Sequence, residues 1–211
     1  MDATQTSSAP RSGVWLWILL AVVAAALLGY LLIERPMDEQ SGTEGPAIGR
    51  RLPYLQLEGL TGDAADVSLD DLQGRVTLLN YWGTWCPPCQ REFPHIVETA
   101  AVFREQADFR LYAVSCGQGR DADLKALRHE TQIFLEVTKA SLPTYADENA
   151  ASRQAMTVGL SLEGFGYPTT VVLDRQGTIR GFWVGYSPGM ERVIRALIQN
   201  LLDESPPQPK A

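Results

Sequence analysis

The longest apolar run of the chain is residues 14–33, which contain no charged side chain. A run of twenty residues is long enough to cross a bilayer as a helix. Trp15, Trp17 and Tyr30 lie near its ends, where aromatic rings prefer the membrane interface. A cleavable signal peptide would have a shorter apolar core, and a buried helix without a polar face is unusual beside so small a domain. The pattern predicts a single transmembrane anchor over 14–33.

Beyond this run, short β-prone apolar segments alternate with segments of helical periodicity, which is typical of an α/β domain. We expect this domain over 49–203, after a polar tail at 1–13 and a flexible linker at 34–48, and before a disordered tail at 204–211. The predicted strands are 52–57, 65–69, 76–82, 109–115, 142–145, 170–173 and 179–184. The predicted helices are 89–104, 121–132, 148–156 and a last one that begins after Ser187-Pro188.

Charge and cysteine content narrow the function classes. The net charge is −7, and acids and bases are mixed along the chain without a basic block, so a nucleic-acid partner is not expected. Three cysteines are too few to staple a small secreted scaffold, which favours catalytic use of the thiols.

The candidate chemistry lies in Cys86-Pro87-Pro88-Cys89, between the predicted buried strand 76–82 and the predicted helix 89–104. A cysteine at a helix N-terminus faces unpaired backbone N–H groups and the positive end of the dipole, which favours its thiolate. A cysteine one turn later lies close enough to attack a mixed disulfide. We therefore expect Cys86 to be the exposed attacking thiol and Cys89 the more buried resolving thiol.

Two structural readings of the cysteine pair compete with redox activity. A zinc site needs about four ligands, whereas only Cys116 and two histidines remain elsewhere in the chain. A static disulfide across so short a loop would stabilise little. Redox activity is the better interpretation. Cys116 itself, at the end of the predicted strand 109–115, is either a buried filler or a third redox partner.

The two prolines bear on the direction of exchange. Proline is well tolerated in the first helical turn, but each proline removes a backbone N–H that would otherwise stabilise the Cys86 thiolate. We expect a thiol pKa that is less depressed than in strong oxidants, and a couple biased toward reduction of its substrates.

The segment Tyr-Trp-Gly-Thr-Trp-Cys-Pro-Pro-Cys-Gln-Arg-Glu-Phe-Pro at 81–94 resembles the active-site segment of thioredoxin-like proteins. More narrowly, it is similar to the membrane-anchored TlpA/ResA/CcmG group of thiol-disulfide oxidoreductases, and the similarity extends from about residue 48 to about residue 202. The resemblance implies an α/β thioredoxin-like three-layer sandwich, with an N-terminal β-hairpin and a central strand–helix insertion, preceded by the single transmembrane helix.

The resemblance also assigns roles to individual residues. Glu92, three residues after Cys89, matches an acidic residue of the group and would exchange a proton with Cys89. Thioredoxin itself has a buried aspartate in the preceding strand, where this chain has Asn80. Gly166-Tyr167-Pro168-Thr169 matches the loop with a cis proline, in which Tyr167 and Pro168 would dock an extended substrate.

Trp85, Pro87 and Pro88 complete the predicted substrate-binding set. The implied function is reduction of protein disulfides in the bacterial periplasm, with apocytochrome c as the most familiar substrate and a membrane thiol donor of DsbD/CcdA type. No cofactor is expected besides the Cys86–Cys89 disulfide. Placement of the domain outside the cytoplasmic membrane rests on the resemblance, since the positive charges around 14–33 do not favour it. A disulfide oxidase or isomerase, and a peptide-binding module without redox activity, are the alternatives.

Overall fold

The computed structural model describes residues 12–33, 42–119 and 123–205, and the chain divides into the compact units Met1–Asp38 and Glu39–Ala211. The first unit contains helix α1, Ser12–Ile33. Within the described part of the chain, no helix is both long enough and apolar enough to span a membrane. The span predicted over 14–33 is therefore not confirmed. The predicted tail up to residue 11, the linker up to residue 41 and the end of the chain from residue 206 lie outside the described residues.

The second unit is an α/β domain whose elements alternate as the sequence pattern predicts. Its strands are β1 (Gln56–Thr61), β2 (Val67–Ser68), β3 (Val76–Trp82), β4 (Phe109–Ser115), β5 (Thr144–Ala146), β6 (Thr169–Leu173) and β7 (Ile179–Val184). Its helices are α2 (Pro87–Val102), α3 (Leu124–Thr138), α4 (Ala151–Gly159) and α5 (Met190–Asp203).

One mixed sheet organises the domain, with the strand order β2-β1-β5-β4-β3-β6-β7. β3 is parallel to β4, and β4 is parallel to β5, whereas β6 is antiparallel to β3 and β7 is antiparallel to β6. The N-terminal hairpin β1–β2 joins the sheet through β5, with which β1 is antiparallel. Both additions that the resemblance implies, the hairpin and the β5–α4 insertion, are thus present.

The layers follow from the alternation of side chains along the strands. All seven residues of β3 are buried, as a central strand covered on both faces requires. On β7, Phe182 packs in the same cluster as Met156 of α4. A side chain at the preceding Gly181 would lie 2.8 Å from Leu197 Cδ2 of α5, so α5 covers the opposite face. Helices therefore lie on both sides of the sheet.

The N-terminal boundary differs from the sequence prediction in two respects. Residues 42–48, expected to be linker, pack on the domain: Ala47 is buried, and the carbonyl of Gly42 accepts a hydrogen bond from Phe182 N at 2.7 Å. The first hairpin strand begins at Gln56 and not at residue 52. Leu52 is buried and apolar, but its N–H pairs with the Gly177 carbonyl at 3.0 Å, away from the hairpin.

Candidate active site

The two cysteines lie at the first turn of α2, directly after β3, and form a disulfide in this structure. Cys86 is the N-cap residue, and Pro87 and Pro88 occupy the first two helical positions. The N–H of Cys89 is the next donor, and it is directed at Cys86 Sγ at 3.3 Å. The two prolines thus leave one N–H of the first turn hydrogen-bonded to the sulfur that would carry the thiolate.

Cys86 is less exposed than the sequence predicts. Its exposed fraction is 3%, against 0% for Cys89, so the expected order holds but Cys86 is not an exposed residue. In the disulfide both sulfurs pack in an apolar cluster with Trp82 and Phe93, and Trp85 and Tyr167 lie against it. Access of a substrate disulfide to Cys86 Sγ therefore depends on the positions of the surrounding side chains, among them Trp85 and Tyr167.

Glu92 is buried on α2, three residues after Cys89 and on the same side of the helix. Its carboxylate accepts a hydrogen bond from Asn80 Nδ2 at 2.8 Å and another from Thr170 Oγ1 at 2.9 Å. Burial raises the pKa of Glu92 to about 7, although both hydrogen bonds oppose the rise. A carboxyl group that titrates near neutral pH is suited to accept and return a proton.

Trp85 is fixed next to Cys86 by contacts with two other segments. Its indole Nε1 donates to the carbonyl of Cys116 at 2.8 Å, and its ring meets that of Tyr167 edge-on at 5.3 Å. Gly83 makes room for the indole, because a Cβ there would lie 2.5 Å from Trp85 Nε1 and 2.8 Å from the Cys116 carbonyl. Trp85 thus connects β4 to the loop before β6.

The peptide bond between Tyr167 and Pro168 is cis. The paired registers of β6 begin at Thr169, so Tyr167 lies just beyond the hydrogen-bonded part of the strand. The side chain of Tyr167 packs in the same cluster as both cysteines. The arrangement suits a backbone segment that pairs with an extended peptide beside the disulfide.

Cys116 follows β4 at the edge of the sheet where α2 begins, as predicted, and its N–H donates to the Trp82 carbonyl at 2.7 Å. Its thiol is free and buried, and burial raises the pKa of Cys116 to about 12. A thiol of such a pKa carries almost no thiolate at neutral pH. These properties favour the filler interpretation over a third redox partner.

Sequence reasoning missed three residues of this region. Thr170 is one, although its place opposite Asn80 in the β3–β6 register follows once the strands are paired. The other two are Asp147 and Arg153, which are buried together and whose ion pair extends to the Tyr167 hydroxyl. No local motif marks them, because both come from the insertion.

The family model described as "AhpC/TSA family" matches residues 48–182. The chain belongs to the AhpC/TSA family. Among relatives of this AhpC/TSA protein is "Thiol-disulfide oxidoreductase ResA" of Geobacillus kaustophilus, 29% identical over 168 residues, which are 80% of this chain and 84% of the relative. Another is "Thiol:disulfide interchange protein DsbE" of Pseudomonas aeruginosa, 30% identical over 159 residues, which are 74% and 78% of the two chains.

The solved structures agree on the fold of this AhpC/TSA protein. A thiol:disulfide interchange protein of the thioredoxin family from Chlorobium tepidum superposes with a TM-score of 0.57 at 20% identity, over 74% of this chain and 98% of that one. The fold is thus thioredoxin-like, and the chain is a thiol-disulfide oxidoreductase. Its family uses no cofactor, because the cysteine pair is itself the redox group.

Proposed function

We propose that this oxidoreductase reduces disulfides of protein substrates through Cys86 and Cys89. The observation that carries the proposal is a combination of three features: Cys86 of the disulfide caps α2, the buried carboxyl group of Glu92 follows Cys89 on the same helix, and Tyr167, just before β6, packs against both cysteines. Thiol–disulfide exchange needs these three elements: a dithiol, a proton acceptor and a place for the substrate.

The exchange starts from the reduced dithiol. The Cys86 thiolate attacks one sulfur of the substrate disulfide, the other sulfur leaves and takes up a proton, and a mixed disulfide forms. Glu92 then accepts the proton of the Cys89 thiol, and the Cys89 thiolate attacks Cys86 Sγ. The second substrate sulfur leaves and is protonated. Two electrons pass to the substrate, which ends as a dithiol, and the Cys86–Cys89 disulfide remains.

The direction is supported by the first turn of α2. Pro87 and Pro88 hold the first two helical positions, so two N–H groups that would stabilise a thiolate are absent. A less stabilised Cys86 thiolate makes the reduced form a better electron donor. Turnover then needs a dithiol donor that reduces the disulfide again, and a membrane thiol donor of DsbD/CcdA type fits this need.

A reduction potential tests the direction. The full chain is equilibrated with dithiothreitol or glutathione mixtures, and the dithiol fraction is read by alkylation and mass spectrometry. A value well below roughly −120 mV, the potential of a strong periplasmic oxidant, supports a reductase. A value near it favours the oxidase or isomerase.

A pair of cysteine variants tests the chemistry itself. Cys89→Ala is expected to accumulate mixed disulfides with substrate proteins, because the resolving thiol is missing, whereas Cys86→Ser should form none. Proteins that are captured in this way and are released by dithiothreitol are the substrates. Apocytochrome c is the candidate to look for among them. If Cys86→Ser keeps the full phenotype and partner binding, the peptide-binding module is the better account.

The cellular location is a further part of the proposal. The uncharged residues 14–33 and the resemblance to the TlpA/ResA/CcmG group support attachment to the bacterial cytoplasmic membrane, with the domain in the periplasm. Alkaline carbonate extraction of membranes provides the test, with a variant that lacks 14–33 as the control. Release of the intact chain by carbonate would contradict the attachment.

A further inference from the structure

We propose that Arg153, held by Asp147, is a positioning residue that fixes the side chain of Tyr167 and thereby the loop on which a substrate docks. The inference rests on the proposed function, because it assigns these residues to the docking of protein disulfides. Within the part of the chain that the structure describes, no hydrogen bond or ion pair joins Arg153 or Asp147 to Cys86 or Cys89, so their effect on the disulfide would pass through Tyr167.

Arg153 and Asp147 form a buried ion pair that backbone N–H groups hold in place. Arg153 Nε lies 2.8 Å from Asp147 Oδ2, and the exposed fractions of the two side chains are 7% and 0%. The Asp147 carboxylate also accepts the N–H groups of Ser152 and Arg153, at 2.8 Å and 3.1 Å, at the start of α4. The position of the guanidinium is thus set by the helix itself.

A second nitrogen of the same guanidinium binds Tyr167. Arg153 Nη1 donates to the hydroxyl of Tyr167, while Arg153 Nε remains with Asp147. Only a planar fork with several donors can serve both partners at a fixed separation, and the single ammonium group of lysine lacks this geometry. Burial raises the pKa of Tyr167 to about 12, so its hydroxyl accepts this hydrogen bond as a neutral phenol.

The ring of Tyr167 links its hydroxyl to the surroundings of the Cys86–Cys89 disulfide. The Tyr167 ring meets Trp85 edge-on at 5.3 Å and Phe165 at 5.8 Å. Trp85 is the residue before Cys86, and Pro168 is bonded to Tyr167. A shift of the Tyr167 ring would therefore disturb both Trp85, which precedes Cys86, and Pro168, which follows Tyr167.

An open pocket borders the Tyr167 ring on one side. A space of about 430 Å³ lies beside Tyr167, and its lining residues include Arg153, Thr157, Val158 and Phe165. The packing of the ring against Trp85 and Phe165 is not directional, whereas a hydrogen bond to its hydroxyl is. The hydrogen bond from Arg153 therefore adds a directional restraint on the ring.

The test compares Arg153→Lys with Arg175→Lys in the full chain in detergent. Arg175 is a matched control, because it is also a buried arginine paired with a carboxylate, Asp108, and lies at the end of the sheet opposite the disulfide. Steady-state rates are measured with insulin as the protein disulfide and with oxidised glutathione as the small one, and dithiothreitol is the electron donor.

We expect Arg153→Lys to raise the KM for insulin by about five-fold, the factor that one lost hydrogen bond represents. The loss with oxidised glutathione should be smaller, because a small disulfide does not need the loop. Arg175→Lys should change both substrates alike. If Arg153→Lys also changes both alike, or changes neither, the arginine has a structural role only and the proposal fails. If the unmodified protein does not reduce insulin, the proposed function fails instead.

Tyr167→Phe keeps the proposal testable if the lysine variant folds poorly. It removes only the hydroxyl and leaves the Arg153–Asp147 pair in place. It should raise the KM at least as much as Arg153→Lys does, and the double variant should add nothing to the effect of Tyr167→Phe, because the hydrogen bond that Arg153→Lys breaks ends on the hydroxyl that Tyr167→Phe removes. The indole N–H resonance of Trp85 should shift in both single variants. Additive losses, or an unchanged Trp85 resonance, would overturn the inference.

Discussion

The side-chain amide of Asn80 donates a hydrogen bond to the Glu92 carboxylate at 2.8 Å and so joins the central strand to α2 behind the disulfide. Thioredoxin, to which the chain shows resemblance, has a buried carboxyl group at the strand position. Here the carboxyl group is on the helix, and the strand contributes a neutral donor. One ionisable group is thereby kept behind the cysteines, and a second carboxylate at hydrogen-bond distance would disfavour ionisation of both.

Replacement of Glu92 by glutamine should slow the resolving step. In the unmodified protein the carboxylate accepts the Cys89 proton, so the rate of resolution should rise as the pH increases through about 7, the pKa of Glu92. Glu92→Gln should lower this rate by about ten-fold or more at pH 7 and remove the inflection. Stopped-flow measurement of mixed-disulfide resolution between pH 5 and 9 gives both values. An inflection near 7 that survives in Glu92→Gln would assign the titration to another group.

Glu92 should also make the stability of the domain dependent on pH. The pKa of Glu92 is about 7 in the folded protein and 4.5 for an ordinary, exposed glutamate, as in the unfolded chain. Between these two pH values the folded protein therefore binds more protons than the unfolded chain. The free energy of unfolding of the domain therefore falls as the pH rises from about 4.5 to about 7, by at most about 3 kcal/mol. Above about pH 7 the contribution of Glu92 no longer changes.

Urea unfolding of the oxidised protein at pH 5 and pH 8 measures this fall. Glu92→Gln, which cannot ionise, is the control and should lack most of the difference between the two pH values. An equal fall in the variant would show that other groups cause it.

Asn80→Asp should place two carboxyl groups in contact. Since both cannot ionise easily at hydrogen-bond distance, the pair should titrate with an upper apparent pKa above that of Glu92 alone. The inflection of the resolution rate should move to higher pH. Thr170→Val removes the other hydrogen bond to Glu92 without adding charge, and should move the inflection in the same direction but less. A fall of the inflection in Asn80→Asp would contradict the assigned contact.

The elements with strong local patterns were predictable from sequence. The predicted bounds 76–82, 109–115 and 179–184 are those of the structure, because buried runs of β-formers end at turn residues there. The helix predicted over 148–156 is instead divided: Asn149 and Ala150 have positive φ angles of 53° and 56°, and α4 begins only at Ala151. Neither residue is a glycine, so nothing in the local sequence marks this break.

The same contrast holds for the candidate site. Cys86, Cys89 and Glu92 follow one another at intervals of three residues from the N-cap of α2 into its second turn, so spacing alone relates them. Arg153 reaches Tyr167 from an insertion, across 14 positions of the chain. Such a contact depends on how α4 packs against the loop before β6, which no local period encodes.

Cys116 should resist alkylation in the folded, reduced protein. Its exposed fraction is 1%, and its pKa of about 12 leaves roughly a thousand-fold less thiolate at pH 8 than an ordinary cysteine has. Iodoacetamide at pH 8 should therefore modify Cys86 first and leave Cys116 unmodified until urea is added. Peptide mass mapping over time provides the measurement. Rapid labelling of Cys116 without denaturant would revive its role as a third redox partner.

Gly83→Ala should separate Trp85 from its hydrogen-bond partner. The added Cβ would lie 2.5 Å from Trp85 Nε1 and 2.8 Å from the Cys116 carbonyl oxygen. The hydrogen bond from the Cys116 N–H to the Trp82 carbonyl limits how far the backbone at Cys116 can move away. The indole must therefore leave. We expect a loss of stability of about 1–3 kcal/mol, from overpacking and the broken hydrogen bond, together with a higher KM for insulin. Gly164→Ala is the control, since a Cβ there meets nothing within 4 Å. Denaturation and kinetics that matched this control would show that Trp85 needs no room at Gly83, and that the indole is not held in the observed position.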